Sequence, residues 1–179
     1  MGGEPGDVEE ITILNRKLVW SGNEMKDEAD PKHAEMISSG VGLDARPKGM
    51  DRPSVKETIT EVEDEERSEV LDPAEATEYR ALAARANYLA ADRPDVGYAV
   101  KELCRDMSAP RKSSQAKLKR LGRYLLEFPR LGWTYPDGQV EVDMKNIHVF
   151  SDSDWAGCIR TRKSTSGGLV ILGGVSLNQ

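Results

Sequence analysis

The stretch Leu71–Ala90, LDPAEATEYRALAARANYLA, narrows what this chain can fold into more than any other. Asp72 is an N-cap, Pro73 stands at the first helical position where its missing N–H costs nothing, and Glu75 at N3 completes a capping box. Ala76, Tyr79, Leu82, Ala83, Ala86, Leu89 and Ala90 then recur at three- and four-residue spacings, the apolar stripe of a long helix. Arg80 and Arg85 fall off that stripe. Asp92-Arg93-Pro94-Asp95 ends the helix, because a proline disfavours helical geometry in the residue before it. A second helix turns Val96, Ala99, Val100, Leu103 and Met107 inward and fades by Ser108-Ala109-Pro110. A third, capped near Ser113, buries Leu118, Leu121, Tyr124 and Leu125, and its other face carries Lys117, Lys119, Arg120 and Arg123. Periodicity also assigns Tyr88 and Tyr98 to the core. Small residues such as Ala83, Ala86 and Gly122 let the three helices pack closely.

Short strands flank this helical stretch. Glu10 to Trp20 is strand material, Ser21-Gly22-Asn23 is a turn signal, and Met25 to Ala29 returns. Asp30-Pro31 opens a helix that Gly40 stops. From residue 44 to 70 no periodicity persists. Lys56 to Glu69 holds seven acidic residues against two basic ones, which reads as an acidic, disordered linker. Arg80 to Arg130 is the opposite, with twelve Lys and Arg against five acidic residues. The net charge of −6 conceals this segregation. The basic half is where a nucleic acid would bind, unless its cations form the wet faces of helices. After Pro129 the pattern turns to strands over Leu131–Tyr135 and Gln139–Val142, around a Pro136-Asp137-Gly138 turn.

Composition excludes several classes. No apolar run approaches the roughly 20 residues of a membrane span, and the acidic N-terminus lacks a secretory pattern. Gly6 stands where a myristoylation signal needs Ser or Thr. Cys104 and Cys158 read as free thiols of a reducing compartment, which points to an intracellular, cytoplasmic or nuclear protein. With His33 and His148 they form no zinc-type spacing.

The last stretch with chemistry in it is Ile147–Gly174. Alternation from Ile147 to Ser151 marks a strand ending at Asp152, with Asp154 two residues on and a second β-prone run at Gly168–Leu172. A carboxylate fixed at a strand end suits a hard cation such as Mg²⁺, and Arg160, Arg162 and Lys163 beside it could hold phosphates. The plainer alternative is that Asp152-Ser153-Asp154 caps a turn.

These residues carry a family resemblance. Tyr79-Arg80, Tyr88-Leu89, Arg93-Pro94-Asp95 and Tyr98-Ala99-Val100 resemble the helical segment after the polymerase palm in copia-type retrotransposon polyproteins, with Asp92 in place of the family's Thr. LKRLGRYLLEFPRLGWTY is similar to the helix and strand that follow it there. SDSDWAG with RKSTSGG is similar to the opening of the family's ribonuclease H domain, and DPKHAEMISSGVGL is compatible with its approach to the thumb.

The resemblance implies an α+β chain of incomplete domains: post-palm strands and helix over 1–43, the acidic linker over 44–70, a helical thumb/connection segment over 71–130, connecting strands over 131–146, and a truncated ribonuclease H-like hairpin over 147–179. It implies a region of an RNA-directed DNA polymerase and ribonuclease H whose partners are an RNA/DNA hybrid or template–primer duplex and the remainder of the polyprotein. The family's palm uses adjacent aspartates, and no Asp-Asp pair occurs in this sequence. The palm is expected before Met1. Family ribonuclease H centres hold two Mg²⁺ ions about 3.5–4 Å apart on four carboxylates. Asp152 matches the first, as catalytic and metal ligand, and the other three are expected beyond Gln179, so negligible nuclease activity is expected of this chain. Lys117, Lys119, Arg120 and Arg123 would meet phosphates, as would Ser153, Asp154, Arg160, Arg162 and Lys163 near a hybrid, while Trp155 packs behind the strand. The alternative is a remnant or domesticated, non-catalytic interaction protein whose helices bind a protein partner.

Overall fold

A computed structural model describes residues 9–14, 16–21, 24–43, 48–136 and 145–178. In chain order its elements are β1 (Glu10–Ile13), β2 (Arg16–Ser21), β3 (Glu24–Glu28), α1 (Pro31–Gly40), α2 (Ile59–Arg67) and α3 (Pro73–Ala90). A 3-10 turn, Pro94–Val96, leads to α4 (Gly97–Arg105) and α5 (Lys112–Glu127), then β4 (Gly132–Pro136), β5 (Ile147–Ser153), β6 (Ser166–Leu172) and β7 (Val175–Asn178). The architecture is mixed α+β, with five α-helices and two antiparallel sheets among the described residues. The strand expected over Gln139–Val142 lies outside the described residues.

The chain divides into a helical unit, Asp30–Leu131, and a β unit formed by Met1–Ala29 with Gly132–Gln179. In the β unit, β1, β2, β3 and β4 lie side by side in that order. Arg16 reaches across to Asp27, its Nη2 2.7 Å from Oδ2. Glu28 faces Gly132 in the β3–β4 register, and a Cβ on Gly132 would come within 2.1 Å of the Asp27 carbonyl oxygen. No side chain fits there. The second sheet runs β5-β6-β7. The β-prone run Gly168–Leu172 lies in β6, the central strand of the three, with β7 pairing on its far side.

The helical unit forms from the stripes read above. Asp72 caps α3 through the Ala74 and Glu75 amides at 2.8 and 2.9 Å. Ala76, Tyr79, Ala83, Ala86 and Leu89 of α3 are buried, as are Ala99, Val100 and Leu103 of α4 and Leu118, Leu121, Tyr124 and Leu125 of α5. The N-cap of α5 falls on Arg111 rather than Ser113. Helix α1 packs on α3 and α5 through Ala34 and Ile37, and small residues set its distance. A Cβ on Gly122 would sit 2.7 Å from Val41 Cγ2, and the Ser38 hydroxyl lies 3.2 Å from the Gly122 carbonyl.

At the α3–α4 turn the Arg93 guanidinium is 1% exposed. Its Nε and Nη2 each donate to the Asp95 carboxylate at 2.8 Å, and Tyr124 Oη donates to the same carboxylate at 2.9 Å. Burial works against the ionised Asp95, but the Arg93 and Tyr124 contacts outweigh it and hold its carboxyl below the usual range. Tyr79 Oη donates to the Leu103 carbonyl at 2.8 Å, and burial raises its hydroxyl far above the usual value.

Four expectations are corrected. The 44–70 stretch is not a structureless linker: Ile59–Arg67 is helical, opened by a Thr58–Glu61 capping box, with Val62 buried beneath it. Tyr88 and Tyr98 are 65% and 51% exposed. Tyr88 lies between the stripe positions Ala86 and Leu89 and stacks on His33, while Tyr98 lies under Lys101 Nζ at 4.8 Å. Trp155 is 94% exposed, standing in the loop after β5.

Replacing Asp95 by Ala strands a buried guanidinium and is expected to destabilise the fold by roughly 3 kcal/mol or more, read by urea unfolding. Because the folded carboxyl is depressed, its contribution is complete above the ordinary value of 3.8 and is lost as pH falls below it. The stability difference between wild type and Asp95→Asn should therefore narrow as the pH falls below that ordinary value. Gly122→Val forces α1 from α5 and should cost about 1–3 kcal/mol in the same assay.

Candidate nucleic-acid interface

Helix α5 carries the basic residues singled out by sequence, and the structure divides them. Lys117 is half-buried and already neutralised: its Nζ lies 2.5 Å from Glu57 Oε1, 2.8 Å from Glu65 Oε2 and 4.0 Å from Asp106 Oδ2. Burial alone would lower the Lys117 pKa, but the Glu57 and Glu65 carboxylates outweigh it and the ammonium is held above its usual value. In this structure Lys117, expected to meet phosphates, faces protein carboxylates instead.

Lys119 is exposed, whereas Arg120 and Arg123 are half-buried. The Nε atoms of Arg120 and Arg123 are shielded from water and find no hydrogen-bond partner among the described residues. A partly exposed guanidinium suits a phosphate, which accepts a planar fork of N–H groups. Arg120 and Lys117 also line one cleft of about 330 Å³, with Val55, Glu65, Tyr98 and Leu103 among its walls. Sequence reasoning missed Glu57 and Glu65 as neighbours of this face. Nothing local signals them, since they lie some fifty or more residues before Lys117.

The other predicted residues belong to the β5–β6 hairpin. Asp152 is exposed near the end of β5, opposite Gly167, and Ser153 faces Ser166. Asp154 does different work. Its backbone N–H donates to the Thr165 carbonyl at 3.0 Å and its carboxylate accepts the Thr165 N–H, so it closes the loop between the strands. Within that loop the Arg162 amide donates to the Cys158 carbonyl at 2.8 Å and the Cys158 amide to the Lys163 carbonyl at 3.2 Å. Ala156 and Arg162 take left-handed backbone angles, with φ of 49° and 54°. Arg162 and Lys163 are exposed and Arg160 is half-buried.

Mg²⁺ was expected in the intact family domain. Among the described residues no three His, Cys, Asp or Glu side chains gather into a metal-holding group, and the Asp154 carboxylate is engaged by the loop amide. This donor set does not fit a two-metal centre, and no chemistry is routed through one. Among the described residues no helix is long and apolar enough to cross a membrane.

Comparison with known proteins bears on what this arrangement belongs to. The chain is 33% identical over 144 residues to the uncharacterized mitochondrial protein AtMg00810 of Arabidopsis thaliana, covering 79% of this chain and 55% of that protein. It is 39% identical over 97 residues to the Retrovirus-related Pol polyprotein from transposon RE1 of the same plant, covering 54% of this chain and 6% of the polyprotein. The corresponding polyprotein from transposon RE2 matches to the same extent. The chain thus spans about half the length of the first relative and a small part of the other two. No protein-family profile and no solved structure matches it. These matches support a segment of a copia-type retrotransposon Pol polyprotein.

If Asp154 is a loop clasp, Asp154→Ala should speed amide exchange at Thr165 by about tenfold, as expected when a hydrogen bond worth about 1.4 kcal/mol is lost. Asp152→Ala should leave that amide unchanged. Hydrogen–deuterium exchange read by NMR separates the two.

Proposed function

We propose that this chain is a hybrid-binding segment of a retroelement reverse transcriptase–ribonuclease H region, with α5 as the element that lies against nucleic-acid phosphates. The observation that carries this reading is the Arg120–Arg123 pair, one turn apart on α5 and each partly exposed. Exposed Lys119 adds a third cation on the same helix. The similarity to transposon Pol polyproteins supports an RNA/DNA hybrid or template–primer duplex as the partner. In this reading α1 and α3–α5 are thumb and connection elements, and the β5–β6 hairpin opens a ribonuclease H sheet.

Contacts of this kind fix position on a duplex without reading sequence. Arg160, Arg162 and Lys163 would supply a weaker second contact near the hairpin. Asp152 alone cannot bring attacking and leaving oxygens under two cations, so the chain by itself binds a hybrid and does not cleave it. The remainder of the polyprotein would be its other partner, in the cytoplasm or nucleus. A second reading, a non-catalytic protein that binds a protein partner, draws on the exposed apolar residues Val149, Phe150 and Trp155.

Fluorescence anisotropy with a labelled RNA/DNA hybrid tests the proposal. Affinity should fall steeply as salt rises. Arg120→Glu with Arg123→Glu should weaken binding and reduce the slope of log K against log salt by about 2, with helicity unchanged. Equal binding by the double variant means that α5 is not the footprint, and no hybrid binding by any form of the chain at low salt favours the protein-partner reading.

A further inference from the structure

The acidic segment is built against the same helix that the proposed function assigns to nucleic acid, and it is anchored along that helix at three levels. At one end a Cβ on Gly49 would strike the Glu127 carboxylate, which places the chain beside the last turn of α5. In the middle, Glu57, just before α2, and Glu65, in its last turn, hold Lys117. At the other end, Ser68 to Leu71 is clamped to the start of α5: the Arg111 guanidinium donates to the Ser68 carbonyl at 2.6 Å, and the Ser113 amide to the Ser68 hydroxyl at 3.1 Å. The Lys112 amide donates to the Glu69 carbonyl at 2.9 Å, and the Leu71 amide to the Pro110 carbonyl at 3.0 Å.

The segment therefore runs antiparallel to α5 and presents carboxylates where a duplex would present phosphates. Its apolar hold is slight. Val62 is buried, but Val55 and Ile59 are 50% and 66% exposed. Helix α2 is nine residues long, too short to persist in water without its docking contacts. What seats it is charge, and charge is what a polyanion competes for.

We infer that the acidic segment Val55–Arg67 is an internal competitor of nucleic acid: docked, it neutralises Lys117 and roofs the cleft that Arg120 lines, and a hybrid must displace it to engage α5 fully. This rests on the reading of α5 as the hybrid-binding face. Displacement leaves the Ser68–Leu71 clamp intact, so the segment swings from a fixed end and can return. Lys117 then becomes an additional phosphate contact, beyond those of Lys119, Arg120 and Arg123. Salt acts on both sides of the competition, weakening the carboxylate seat and the phosphate contacts together.

The test uses the full chain with Glu57→Gln and Glu65→Gln combined, and a labelled RNA/DNA hybrid at low salt. Relative to wild type, the variant should bind on the order of tenfold tighter, with the salt slope steeper by about 1 as Lys117 joins the contact. Adding Lys117→Gln to the variant should return the slope to the wild-type value. A second measurement guards against a folding artefact: in wild type, hybrid should accelerate hydrogen exchange across Ile59–Arg67 while Ala76–Leu89 stays protected. Wild-type binding that depends on Arg120 and Arg123, yet is unaltered by the glutamine pair and leaves Ile59–Arg67 protected, overturns the competitor and spares the binding face. Absence of hybrid binding in wild type and in the glutamine variant alike overturns both. Binding by the glutamine variant where wild type shows none supports both.

Discussion

The helical unit is organised around a charge held away from water. A guanidinium as enclosed as that of Arg93 is tolerated when its donors are met, and the carboxylate two residues on meets two of them in a forked geometry. Asp95 in turn receives the Tyr124 hydroxyl, which ties the α3–α4 turn to α5. The Tyr79 hydroxyl makes a comparable bond from α3 to the end of α4. Dispersion and burial supply most of the cohesion of these helices, but apolar stripes tolerate small rotations and slips. The two tyrosine bonds do not, and they fix which turn of each helix faces which. This gives a physical reason for the Arg-Pro-Asp motif: proline stops α3, and the flanking pair turns the break into a joint.

Charge also decides how the polar half of the chain is spent. The acidic run and the basic helix are far apart in sequence and would repel as separate blocks among their own kind. Folding sets them against each other, so that Lys117 sits among three carboxylates and the bare excess of cations is smaller than composition suggests. Lys119 of α5 and Arg162 and Lys163 of the β5–β6 hairpin stay exposed.

Much of this was legible in the residues. The capping box at Asp72, the stripe from Ala76 to Leu89, the proline break and the buried leucines of α5 were written in local pattern, because each element there buries one continuous face. The same logic failed where periodicity was applied to a single aromatic: Tyr88 and Tyr98 stand just off their stripes and rest on a histidine ring and a lysine instead. Helix α2 was hidden for a different reason. It buries one side chain, Val62, and its seat is an ion pair made across some fifty residues, which no local window contains. At the hairpin, the strand ending near Asp152 was readable, and so was the turn-capping alternative, which Asp154 fulfils through Thr165. Whether Asp152 serves chemistry is a question of which other carboxylates stand near it, and spacing along one strand carries no answer to that.

The pairing of Glu28 with Gly132 has a consequence for how the molecule is made. Strands β3 and β4 are neighbours in one sheet, yet all five helices α1 to α5 of the described residues lie between them in sequence. The sheet can gain its fourth strand only after that long intervening segment has brought its ends together, and closing a loop costs entropy that rises with the logarithm of its length. A collapsed helical core shortens the effective tether and lowers that cost. The seam between β3 and β4 therefore carries the largest loop-closure cost among the strand pairings of its sheet.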